Sequence, residues 1–149
     1  MITSLRALLI LAFLTAVAPA APVINEFIAE NEAGLADAGG DHSDWIEIHN
    51  PDGAPVNLEN WCLTDDAGNL AKWRFPAVNL PAGGFLLVFA SGKDRKVAGQ
   101  ELHTNFSLER NGEYLALVQP DAQTIATQFA PQFPPQRDGF SYGYSQERS

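Results

Sequence analysis

The chain has 149 residues, room for one ordinary domain and not for two. Hydrophobic residues at 46% and charged residues at 18% exclude a disordered chain. A formal net charge of −9 repels phosphate backbones and excludes nucleic acid as a partner, and a single cysteine, Cys62, excludes a disulfide within the chain.

Residues 1–20, MITSLRALLILAFLTAVAPA, have the three parts of a secretory signal peptide. Arg6 leads an apolar run over 7–17, and Ala18 and Ala20 supply the small residues at the cleavage site. The run falls short of the ~20 residues a membrane span needs. Cleavage after Ala20 is expected to leave a secreted or cell-surface protein with no membrane span.

The first strand is expected over 23–28, with Ile24 and Glu26 on one face and Val23, Asn25 and Phe27 on the other. Residues 29–43 are a glycine-bearing acidic loop. A second strand over 44–50 puts Ile46 and Ile48 on one face and Trp45, Glu47 and His49 on the other. Asn50-Pro51-Asp52-Gly53 is a turn, in which Asn bonds its own backbone and Pro fixes φ. Short strands follow at 56–58, 61–64 and 72–75, the last stopped by Pro76. After the turn at 80–84, the run FLLVFA over 85–90 reads as a central strand buried on both faces. A basic loop with Lys93, Arg95 and Lys96 is expected as a solvated tip, followed by extended segments at 103–108, 114–119 and 124–129. No stretch carries an i, i+3, i+4 apolar pattern. Short strands at roughly 8–12-residue intervals between Gly and Pro turns predict an all-β sandwich.

Several pieces together resemble one family. They are VINEF (23–27), SDWIEIHNP (43–51), APVNLENWCLTDD (54–66), KWRFPAVNLPAGGFLLVFASG (72–92) and HTNFSLERNGEYLALVQPDA (103–122). In this order and spacing they resemble the bacterial lamin tail domain. The resemblance implies an all-β, immunoglobulin-like β-sandwich of short antiparallel strands, occurring as a module of secreted or surface proteins. It implies no catalytic residue. The expected organisation is a signal peptide over 1–20, the sandwich over 21–130 and a Pro/Gln/Gly/Tyr-rich tail or linker over 131–149. That tail suits both a stand-alone module and a piece of a longer protein.

The candidate sites each have a plain alternative. Carboxylates at Glu26, Asp37, Asp41, Asp44 and Glu47, with Asn25 and Asn31 near them, offer the oxygen ligands that Ca²⁺ takes. Asp41 and Asp44 are the expected ligands with Asp37 next, although the spacing is not that of an EF-hand. The favoured reading of these residues is a solvated acidic loop. A glycosidase pair would need two carboxylates across a cleft, and a sandwich this small offers little cleft. His42, His49 and His103 lack zinc-ligand spacing. Asn105-Phe106-Ser107 fits a glycosylation sequon, a weak match that matters only in a eukaryotic secretory route. Cys62 reads as a buried core residue. The tryptophans read as core, while the alternation of the second strand leaves Trp45 on a face with Glu47 and His49, a platform for sugar or peptide.

The functional expectation is a non-catalytic secreted or surface interaction and adhesion module. It would bind a protein or surface polymer, or other domains of a larger secreted protein, with no established cofactor. The alternative is a Ca²⁺-stabilised carbohydrate-binding accessory module of a secreted hydrolase.

Overall fold

A computed structural model of the chain describes residues 20–143. The expected signal peptide, apart from Ala20, lies outside these residues, as does the stretch 144–149. Eleven strands and no helix occur among the described residues. They are β1 (Val23–Ile28), β2 (Asp44–His49), β3 (Val56–Asn57), β4 (Cys62–Thr64), β5 (Trp73–Arg74), β6 (Asn79–Leu80), β7 (Phe85–Ala90), β8 (Leu102–His103), β9 (Leu115–Val118), β10 (Ile125–Phe129) and β11 (Tyr142–Gly143).

They build an immunoglobulin-like sandwich. One sheet has the order β11-β1-β2-β7-β8, the other β10-β9-β4-β5, and β3 with β6 makes a small ribbon. Every named strand pair is antiparallel except β7 with β8. The alternation of each strand sends one row of side chains between the sheets. From the first sheet come Ile24, Phe27, Ile46, Ile48, Val88, Ala90 and Leu102, and from the second Leu63, Trp73, Leu115 and Leu117. Leu58, Trp61, Leu80 and Phe75 close the core around the ribbon. On the outer side of the second sheet, Cys62, Ala116 and Val118 form a separate small cluster covered by Leu70, Ala71, Tyr114 and Ala122. Cys62 is therefore fully buried, and burial pushes its thiol pKa up.

The turn after β2 is built as its residues dictate. Asn50 is fully buried. Its Nδ2 donates to the carbonyls of Ala54 at 2.8 Å, Pro81 at 3.0 Å and Leu80 at 3.3 Å, and its Oδ1 accepts from the Asp52 N–H at 3.1 Å. One side chain thus ties together the two turns that flank β2 and β7.

The structure departs from the strict alternation expected of β1. The register slips between Ile24 and Glu26, so Asn25 and Glu26 together oppose Glu47. This β-bulge returns both Ile24 and Phe27 to the core, where an unbroken period of two would separate them. The run β7 is buried on both faces only in its second half. Phe85, at its start, is 51% exposed, because its side chain shares the outward face with His49, away from the second sheet.

The expected domain end at residue 130 falls short of the packed unit. Phe133 is 1% exposed, with its ring 4.8 Å from that of Phe27. The Phe133 N–H donates to Glu113 O at 2.9 Å and the Gln136 N–H to Arg110 O at 2.7 Å. The chain then crosses to the first sheet, where the Gly139 N–H donates to Glu30 O and β11 pairs with β1. Residues 131–143 are a strap across the side of the sandwich. A Pro-rich composition hides it, since two aromatic rings, Phe133 and Tyr142, supply its side-chain anchors.

Candidate functional site

The strand β2 lies in the middle of the five-stranded sheet and presents Trp45, Glu47 and His49 to the outside, as the alternation predicts. Its register with both neighbours makes three cross-strand rows on this outer face. Ile28, Trp45 and Phe89 form the first, Glu26, Glu47 and Leu87 the second, and Val23, His49 and Phe85 the third. The first row is closed at one end, where Phe89 stacks on His103 with centroids 5.2 Å apart. The third is open. The His49 and Phe85 rings stack at 4.3 Å and 11°, and Phe85 is the exposed member. A ring pair held parallel in this way is a rigid, low-entropy contact surface.

The acidic loop is organised differently from the Ca²⁺ expectation. Asp37 and Asp41 do come together, but around the ammonium of Lys93. Nζ donates to Asp37 Oδ2 and, at 2.6 Å, to Asp41 Oδ2. Asp37 Oδ1 also accepts the backbone N–H of Gly39 at 2.8 Å and of Asp41 at 3.0 Å. The Lys93 bond, followed by the backbone bond from Asp41, lowers the Asp37 pKa to about 2, and the side-chain bonds to Asp37 and Asp41 raise that of Lys93. The protein's own cation thus stands between these carboxylates. Asp44 is elsewhere, at the start of β2, half-buried with bonds from the backbone N–H groups of Leu108 and Asn31. Burial first, against those bonds and with the help of Glu30 and Glu109, pushes its pKa up to about 6. Among the described residues, no group of three or more His, Cys, Asp and Glu could hold a metal ion. Asn31 is a loop staple, donating from Nδ2 to Leu35 O at 2.8 Å and Ser43 O at 2.7 Å.

The histidines are not gathered. His42 is exposed in the loop, His49 lies on the outer face, and His103 is fully buried. His103 Nδ1 is 2.9 Å from Ser91 Oγ, and its Nε2 has no hydrogen-bond partner. Burial, then the nearby Arg95 and Lys93, lowers its pKa, so it sits neutral under Phe89. Another perturbed acid is Glu113, near the strap, raised to about 7 by burial and by Asp65 and Glu109. A cleft of about 360 Å³ opens between residues 20–22, the turn after β2 and Trp61. Among the described residues, Asp52 is the one acidic residue lining it, and they place no second carboxylate there of the kind glycoside hydrolysis pairs.

Lys93 and Phe85 are the site residues that the sequence reading misses. Lys93 reads as a solvated loop tip because its partners are 56 and 52 positions away. Phe85 reads as core because it opens an apolar run, and nothing local marks that its end of the outer face is open to solvent.

A family model described as Lamin Tail Domain matches residues 15–130. The matched span begins before the first strand and ends where the strap begins. No curated protein matches the chain significantly.

Proposed function

The chain belongs to the lamin tail domain family, and we propose that it serves as a secreted, non-catalytic interaction module whose partner docks on the outer face of the five-stranded sheet. The family is one of non-catalytic immunoglobulin-like domains that generally act as interaction modules. The stacked His49 and Phe85 pair, with Phe85 half in solvent beside Leu87 and Glu47, carries the reading. A large apolar ring held rigid beside a pair of glutamates is the kind of anchor on which interface energy concentrates. Export is the role of residues 1–20, and the partner is a protein or polymer of the cell surface.

Two measurements test this. Intact-mass analysis of the exported protein is expected to find the chain starting at Ala21, and a retained Met1 segment removes the secretion claim. Purified protein is then applied to a glycan array and to a peptide array, beside a Phe85→Ser variant. Binding lost in the variant supports the face as the interaction site. Binding that Phe85→Ser leaves unchanged moves the site elsewhere.

A further inference from the structure

The middle row of the outer face holds a pair of like charges. Glu26 and Glu47 are direct cross-strand partners, which sets their Cβ atoms about 5 Å apart and makes the pair unfavourable on its own. The bulge at Asn25 contributes to this, since it turns Glu26 onto the face it would otherwise leave. Each carboxylate has one oxygen engaged. Glu26 Oε1 accepts from Ser141 Oγ, and Glu47 Oε1 accepts from Asn25 Nδ2 at 2.7 Å. Neither glutamate makes an ion pair among the described residues, although the same chain pairs Asp37, Asp41, Asp65, Asp94 and Glu30 with its own lysines and arginines. Both are half-buried, so bulk ions screen them less than fully exposed charges. Leu87 continues their row, with Trp45 on one side and the His49 and Phe85 stack on the other.

We propose that this face binds a basic segment of a partner protein, with an arginine or lysine head seated between Glu26 and Glu47. The proposal rests on the outer-face reading above and names the chemistry of the partner. The alkyl stem of the incoming side chain lies along Leu87 and its head reaches the second oxygen of each glutamate, where hydrogen bonds are charge-assisted. Trp45 and Phe85 stand in the two flanking rows, and aromatic neighbours of this kind favour arginine. A neutral glycan would leave the two glutamates opposed, and an anionic polymer would add to their repulsion. The net charge of −9 steers a basic segment towards the surface as a whole, and the glutamate pair gives it one place to seat.

The test is titration of the intact protein with the capped peptide Gly-Arg-Gly-Arg-Gly, followed by calorimetry and tryptophan fluorescence, beside the same peptide with Gln for Arg. Saturable binding of the arginine peptide alone is expected. Glu47→Gln and Glu26→Gln are each expected to weaken it about tenfold or more, the loss of one charged hydrogen-bonding partner. Glu59→Gln, an exposed glutamate on the turn after β3, controls for diffuse charge and is expected to leave affinity unchanged. Without peptide, Glu47→Gln is expected to melt higher than the parent, since it removes the repulsion while keeping the bond from Asn25. No binding of the arginine peptide, or equal weakening by Glu59→Gln, overturns the proposal. If the peptide fails while Phe85→Ser still abolishes binding to an array ligand, the face stands as the interaction site and its cationic partner does not.

Discussion

Replacing Phe133 by alanine tests whether the strap belongs to the domain. The ring is 1% exposed and packs against Phe27 at 4.8 Å, and Phe27 in turn meets Phe129 at 5.0 Å. Removing it forfeits the transfer of a buried phenyl group and leaves a cavity between the strap and both sheets. Together these cost about 3–5 kcal/mol, which for a domain of this size lowers Tm by roughly 10–20 °C. Phe140→Ala is the matched control, because Phe140 in the same segment is 71% exposed. Its effect stays within about 0.5 kcal/mol. Ending the chain after Ala130 also removes the bonds to Glu113 and Arg110 and the pairing of β11 with β1, so it is expected to cost more than Phe133→Ala. Urea unfolding followed by tryptophan fluorescence measures all three. A Phe133→Ala variant as stable as Phe140→Ala, or a chain ending at Ala130 as stable as the whole, refutes the strap.

Asn50→Ala leaves the carbonyls of Ala54, Leu80 and Pro81 without their donor, and urea unfolding is expected to show a loss of about 2–4 kcal/mol. Saturating Ca²⁺ and a chelator are expected to give the same Tm, because the Lys93 ammonium already sits between Asp37 and Asp41; a rise in Tm with Ca²⁺ would restore the metal reading. Glu113 and Asp44 have folded pKa values above their unfolded ones, so the stability they contribute is full at low pH and lost as pH rises through about 6 for Asp44 and about 7 for Glu113. Glu113→Gln is expected to flatten the fall in stability between pH 4.5 and about 7, which for these half-exposed groups is on the order of 1 kcal/mol each. His103 acts with the opposite sign. Its folded pKa is depressed, so its contribution is present above its ordinary value of 6.5 and lost as pH falls through the lower folded value; His103→Gln is expected to remove that acid sensitivity in the same pH series.

The parts of the fold carried by local chemistry are legible in the sequence. The turn at Asn50-Pro51-Asp52-Gly53, the inward Ile46 and Ile48, the outward Trp45, Glu47 and His49, and the buried Cys62 follow from side-chain alternation and turn propensity. The bulge in β1 is not legible, because Asn25 and Glu26 look like ordinary strand residues until their partner Glu47 is known. Nor is the strap, where Phe133 and Tyr142, scattered among prolines and glutamines, pack against Phe27 with no local pattern to mark it. The same holds for Lys93, whose role depends on carboxylates that only the folded chain brings near. Phe85 shows the converse: an apolar residue in an apolar run stays exposed because it falls on the outward face of the sheet, beside His49.

The outer face of the five-stranded sheet is proposed as the place where a partner binds. Amide chemical-shift mapping of the intact protein, titrated separately with basic, acidic and neutral peptides and with neutral oligosaccharides, tests it most directly. Saturable shifts are expected with at least one of these ligands, clustered at Glu26, Trp45, Glu47, His49, Phe85 and Leu87. Shifts centred on Asp37, Asp41 and Lys93, or no saturable shift with any of the four, would contradict it.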